Sequence, residues 1–216
     1  MSGCCRPEGY NRLFSARQAK LDASRYRKNG LAGTSRRLVE LAGDVAGETV
    51  LEVGGGVGAI ELELLAAGAE RATNVELSGE YEEEAATLFA ERGLTERVDR
   101  RVADFVEEPV EPHDVVVMHR VVCCYPDVDL LVGVAATHTR RRLLLTYPRE
   151  RPWTRAGIWA INLGLRLSGS SFRAFVHPVA RMTAAAQREG LALERRERPG
   201  LIWENAVYER MAQPGG

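Results

Sequence analysis

At 216 residues the chain suits a single domain and can bury about 70–75% of its unfolded surface, so it needs no disulfide or metal staple. It is 45% hydrophobic and 27% charged with a net charge of −1, a balance that argues against a dedicated nucleic-acid binder. There is no apolar run of about 18 residues, and the opening MSGCCRPEGYNR lacks the apolar stretch of a secretory signal, so the expected setting is a reducing cytoplasm.

Residues 1–45 hold helical patches and no strand, and read as an arm that caps the remainder, residues 46–216. ETVLEV (48–53) is a short apolar run between turn residues, hence a buried strand. A helix follows over 57–67, with Ile60, Leu64 and Leu65 on one face. RATNVEL (71–77) gives a second strand, and the acidic amphipathic stretch 79–93 a helix stopped by Gly93. A third, partly exposed strand spans 97–105. HDVVVMHR (113–120) sets four apolar residues in a row, the pattern of a central parallel strand. A helix over 128–138 and a strand over 141–148 continue the alternation, which implies an α/β fold with a parallel sheet. Residues 150–178 are too long for a simple connection and read as an insertion that caps the substrate. A helix over about 155–167 fits within it, with Trp153, Trp159, Phe172 and Phe175 offering apolar area and Arg166 and Arg173 offering charge. A helix over 179–189 and two strands, 191–199 and 201–210, close the chain as an antiparallel hairpin turning at Pro199-Gly200.

The densest signal is VLEVGGGVGAIEL, between the first strand and its helix. The carboxyl edge of such a strand is where open α/β sheets bind ligands. Gly54 and Gly56 allow a sharp turn and close approach of a ligand to main chain, and Gly58 allows the helix to pack. Glu76, at the end of the second strand, can accept both hydroxyls of a ribose. Asp104 can take an adenine amino group, with Phe105 covering the ring. Together these describe an adenosine cofactor. The spacing Gly54, Gly56, Ala59 also fits a dinucleotide fingerprint, which keeps a nicotinamide-dependent oxidoreductase open. Against it stands Glu52, a carboxylate that attracts an ammonium group and repels pyrophosphate.

The pattern E-x-G-x-G-x-G at 52–58, with Glu76, Asp104 and the final hairpin, resembles the class I S-adenosylmethionine-dependent methyltransferases. That resemblance covers roughly residues 48–210 and implies a Rossmann-like, doubly wound seven-stranded sheet, mostly parallel with a C-terminal antiparallel hairpin. It implies S-adenosylmethionine as cofactor, S-adenosylhomocysteine as product and a small-molecule acceptor, with O-methylation favoured. Glu52, Gly54, Gly55, Gly56 and Gly58 would hold the methionine part, Glu76 and Leu77 the ribose end, and Asp104 and Phe105 the adenine. His119 and Arg120 would close over the methionine and face the acceptor.

The stretches HRVVCCYPD (119–127), LTYP (145–148) and AFVHP (174–178) are similar in layout to the magnesium-protoporphyrin O-methyltransferases. Cys124 and Arg120 stand where that family has histidine and aspartate, so the likeness implies architecture and not acceptor. His119, Cys124 and His177 are the candidate catalytic groups, with Tyr10 a further candidate base. No metal is expected, although thiolates of Cys4-Cys5 and Cys123-Cys124 gathered at the cleft would suit zinc or a thiophilic substrate. A non-catalytic S-adenosylmethionine-binding protein is the remaining alternative.

Overall fold

The computed structural model describes residues 13–212. Two helices come first, α1 (Ala16–Asn29) and α2 (Gly33–Ala42). Then β1 (Thr49–Val53), α3 (Ala59–Ala66), β2 (Arg71–Glu76), α4 (Glu82–Glu91) and β3 (Val98–Val102) alternate. They are followed by β4 (His113–His119), α5 (Val128–Thr137), β5 (Thr139–Pro148) and the inserted α6 (Pro152–Leu167). Helix α7 (Val179–Arg188) and strands β6 (Leu191–Glu197) and β7 (Trp203–Arg210) end the described chain.

The seven strands form one sheet in the order β3-β2-β1-β4-β5-β7-β6. All neighbours are parallel except β7, which lies antiparallel between β5 and β6. This is the doubly wound sheet with terminal hairpin expected from the alternation. Its two-sidedness follows from the two-residue period of a strand. Val50, Val115, Val117 and Leu144 join a core with α1 to α4, while Leu51, Val116, Met118, Leu143 and Leu145 join one with α5 and α7. Strands buried on both faces read as unbroken apolar runs, which is why Val115–Met118 carries no polar residue.

Helix α2 has no capping side chain at Ala32; packing holds it, with Leu38, Leu41 and Ala42 in the first core, together with the Arg37–Glu197 ion pair at 2.6 Å and Arg142 Nη1 donating to the Ala42 carbonyl at 3.0 Å. Helix α1 begins under the Ser15 hydroxyl, which accepts from the Gln18 amide. It is tied to α3 by Tyr26 Oη donating to Glu63 Oε1 at 2.6 Å, and just before it the Phe14 carbonyl accepts from Ser78 Oγ, beyond β2, at 2.9 Å. Among the described residues no helix is long and apolar enough to cross a membrane.

Candidate functional site

The strand order reverses between β1 and β4, and a doubly wound sheet opens a crevice at that point. The glycine loop leaves β1 on one side of it; His119 and Arg120 leave β4 on the other. Gly54, Gly56 and Gly58 are all left-handed, with φ of 64°, 57° and 75°. A Cβ on Gly54 would stand 2.7 Å from Val121 Cγ2, and one on Gly55 only 2.2 Å from Asn74 Nδ2 and 2.7 Å from the Glu52 carboxyl carbon. The bare main chain therefore has two causes: the loop is crowded by side chains of β1, β2 and the segment after β4, and it lines a cavity. Gly58 is buried off the cavity, where a Cβ would meet Glu61 Oε1 at 2.4 Å and the Phe89 ring at 2.7 Å, so close packing and its left-handed backbone both favour glycine there.

The cavity encloses about 540 Å³, within the roughly 300–1,000 Å³ of small-molecule sites. Glu52, Gly54, Gly55, Gly56, Glu76 and Leu77 line one part, and Asp104, Phe105, His119, Arg120 and Cys124 line the rest. Glu76 is 8% exposed; its Oε2 accepts from Gly56 N at 2.9 Å and its Oε1 from Ser78 N at 3.0 Å. A carboxylate has about four acceptor sites, so these main-chain donors do not use them all. Asp104 Oδ1 caps the turn by accepting from Val106 N at 3.1 Å. The Phe105 ring is 4% exposed and stands edge-on to His138 in the second core, so it walls the cavity rather than projecting into it.

Arg120 is the one described non-glycine residue with positive φ, 62°. Such backbone is costly for a side chain with a Cβ and tends to persist where the site needs it. Its amide donates to the Thr146 carbonyl at 3.0 Å, its guanidinium stacks over Trp203 at 4.5 Å, and its Nη2 donates to Thr34 Oγ1 at 3.2 Å. It makes no ion pair with any described residue. The same Thr34 hydroxyl lies 2.9 Å from His119 Nε2. Burial, reinforced by the neighbouring Arg120 charge, drives the His119 pKa down to about 3, so the ring is neutral at physiological pH.

His177 is not at the cavity. Its Nε2 donates to the Tyr125 carbonyl at 2.9 Å and its ring stacks on Phe175, so it braces the segment after β4. The histidine stands one residue back from the cavity, behind the lining residue Tyr125. Cys123 and Cys124 are both thiols, 3.8 Å apart, and both Sγ atoms point to the Arg120 carbonyl. Only Cys124 lines the cavity. Among the described residues no group of three or more metal-ligating side chains occurs. Cys4, Cys5 and Tyr10 lie outside the described residues.

One residue that organises the site was not singled out from the sequence. Arg100, on β3 and nearly buried, donates Nη2 to the Gly56 carbonyl at 2.8 Å and Nη1 to Glu61 Oε1 at 2.8 Å, and pairs with Glu82 at 2.9 Å. Beneath the loop, Glu52 is 1% exposed and accepts the Glu61 amide at 3.1 Å. Burial, together with the nearby Glu61 charge, raises the Glu52 pKa well above the usual range; burial raises Glu61 to about 7 despite the pull of Arg100. Arg100 thus fixes the loop from below while neutralising the acids that shape it.

The arm completes the wall, with Phe14, Asp22, Arg25, Tyr26 and Leu31 facing the same cavity. No residue of α6 does. The insertion reaches the site only through the loop behind α6, where Phe172 meets Phe14 edge-to-face and Phe175 N donates to the Cys123 carbonyl at 2.8 Å.

No protein-family model and no curated protein sequence matches the chain. Solved structures do. Magnesium protoporphyrin IX methyltransferase from Synechocystis, with bound S-adenosylhomocysteine, is 20% identical, covers 82% of each chain and superposes with a TM-score of 0.66. A putative sarcosine dimethylglycine methyltransferase from Galdieria sulphuraria is 14% identical over 82% of this chain and 85% of its own, with a TM-score of 0.67. Geranyl diphosphate C-methyltransferase from Streptomyces coelicolor is 13% identical over 82% and 77%, with a TM-score of 0.68. The chain has the Rossmann-like fold of these S-adenosylmethionine-dependent methyltransferases.

Proposed function

We propose that the chain is an S-adenosylmethionine-dependent methyltransferase that methylates an oxygen of a small molecule carrying a carboxylate. The observation that carries the reading is the Glu76 carboxylate, nearly buried at the foot of the cavity, holding the glycine loop by one edge and keeping free acceptor sites on the other. That geometry suits the two hydroxyls of a ribose. Leu77 and the main chain around Asp104 would flank the adenine, and Gly54–Gly56 the amino-acid tail. Glu52 would act through the loop it supports, since its carboxyl is turned under Gly55. Helix α1 would close the cleft as a cap.

The bound sulfonium supplies an activated methyl group whose transfer to a carboxylate oxygen breaks one C–S bond, forms one O–C bond and moves no proton. A phenol or alcohol acceptor would need a base, and the histidine at the cavity is a poor one. A base works best with a pKa near the working pH, whereas His119 sits near 3. Arg120, unpaired with any described carboxylate and held by Trp203 and Thr34, fits an acceptor that arrives as an anion. His119 then positions Thr34 and Arg120 rather than moving a proton.

Two outcomes test this. Purified protein should bind S-adenosylmethionine in calorimetry and release S-adenosylhomocysteine with members of a carboxylate panel. Binding without product from any acceptor would leave a non-catalytic binder, and a shift in melting with nicotinamide dinucleotides alone would overturn the cofactor. Arg120→Gln should raise KM for the acceptor about tenfold to a hundredfold, the worth of one charged hydrogen bond, with cofactor affinity unchanged. With a carboxylate acceptor kcat should also stay level from pH 6 to 9. A limb near pH 6.5 that vanishes in His119→Asn would restore the histidine as base.

A further inference from the structure

Helix α6 is built inside out. Its inner line is Thr154, Ile158, Asn162 and Leu165, at helical spacing, and of these only Thr154 is buried. Asn162 pins that line to the loop behind it by two bonds of 2.8 Å to Ala174. The opposite side carries Trp153, Trp159, Leu163 and Leu167, which are 55%, 68%, 42% and 80% exposed. Arranged at about 100° per residue, the outward arc from Trp159 round to Ile161 contains no charged residue; Arg155 and Arg166 share one flank. A surface helix of a water-soluble protein has its polar face outward. Here the apolar face is outward.

The patch extends beyond the helix. The β6–β7 turn exposes Leu201 and Ile202, 77% and 53%, and the Ile202 carbonyl accepts from Arg149 N at 2.7 Å, just before α6 begins. So the turn stands beside the start of α6, at one rim. That rim is cationic. Between residues 149 and 173 stand five arginines, Arg149, Arg151, Arg155, Arg166 and Arg173, against one carboxylate, Glu150, in a chain whose net charge is −1. Glu150 is already taken by Arg155 at 2.8 Å.

From this juxtaposition of an outward apolar helix face and an arginine rim we infer that α6, with the β6–β7 turn, lies in the surface of an anionic lipid bilayer. Sixteen residues make a helix of about 24 Å, too short for a core of about 30 Å, so it lies in the plane of the interface instead of spanning it. Tryptophans at the headgroup level, apolar residues below and arginines reaching anionic headgroups are the chemistry of an interfacial helix. A second protein copy or an apolar protein partner would also cover the apolar arc, but neither explains the excess of arginine over carboxylate along the rim. Seated this way, the loop carrying Phe172 and Phe175 links the bilayer to the cavity wall, a short route for an amphiphilic acceptor.

The test uses the full chain and vesicles of phosphatidylcholine with and without about a third phosphatidylglycerol. Expected are co-sedimentation with the anionic vesicles, weakening as salt rises, and a blue-shifted tryptophan emission quenched by lipids brominated near the headgroup end of the acyl chain. Trp153→Ser with Trp159→Ser should lower partitioning at least tenfold while the melting temperature stays within a few degrees. Arg155→Glu with Arg166→Glu should remove the preference for anionic lipid. No sedimentation at low salt, equal binding to pure phosphatidylcholine, or undiminished binding by the double tryptophan variant would each overturn the inference. So would a lipid-free dimer in ultracentrifugation that the same variant dissolves. None of these readouts depends on methyl transfer.

Discussion

Glu76→Ala should weaken S-adenosylmethionine binding about a hundredfold. The side chain accepts two main-chain hydrogen bonds and, in the proposed complex, two ribose hydroxyls. Hydrogen bonds to a charged group are worth about 1.5–3 kcal/mol each, and about 1.4 kcal/mol is a factor of ten, so losing the ribose pair gives roughly two orders of magnitude or more. Calorimetry with S-adenosylhomocysteine should show the same loss, because donor and product share the ribose. The variant also strands the amides of Gly56 and Ser78, at about 1–3 kcal/mol apiece, so weaker binding alone would not separate contact from collapse. The separation comes from a cycle with 5′-methylthioadenosine and its 2′-deoxy analogue. Removing the hydroxyl should hurt the wild type and leave the variant nearly unaffected, since the interaction is already gone. Equal penalties in both proteins would place the ribose elsewhere.

The fold was readable because its strands bury both faces. Val115–Met118 has no polar residue to place in water, and the glycines after β1 break the strand at the one edge where ligands gather. The position of the cavity was legible for the same reason: the residues singled out for a cofactor lie at or near strand ends on that edge, and all but Gly58 line the cavity. The placement of His177 was not legible. His177 follows an aromatic loop in the sequence, but its partner is a carbonyl 52 residues away, which no local pattern encodes. The tryptophans of α6 looked like a substrate wall because composition gives a helix its apolar residues but not the side that faces the protein. Arg100 was hidden in a polar run, VDRRV, that reads as an exposed edge. A signal was present: Asp99 and Arg101 pair with each other at 2.7 Å on one face, which turns Arg100 to the other. What lies on that other face, Glu61 and Glu82, comes from different helices.

Arg100→Met should cost about 3–5 kcal/mol at pH 8, the usual consequence of stranding a buried charge. The side chain is replaced by one of similar reach and no charge, so its packing is largely kept and the loss is electrostatic. Glu61 is fully buried and would have no cation, Glu82 would lose its partner, and the Gly56 carbonyl would lose its donor. The pH dependence identifies the cause. Burial lifts Glu52 well above its usual range and Glu61 from 4.5 to about 7, so between those values the folded chain binds more protons than the unfolded one. Stability contributed by these groups is therefore present in full at low pH and is lost as pH rises toward about 7. Without Arg100, which pulls Glu61 down, the acid titrates higher still, and the fall steepens and extends upward. Urea unfolding at pH 5 and pH 8 should show a modest penalty at the first and the large one at the second. Adding Glu61→Gln to Arg100→Met should recover part of the loss at pH 8 and little at pH 5, because a neutral amide needs no counter-charge. A penalty equal at both pH values, untouched by the second substitution, would mean that Arg100 acts through packing and that the acids under the glycine loop are not held by its charge.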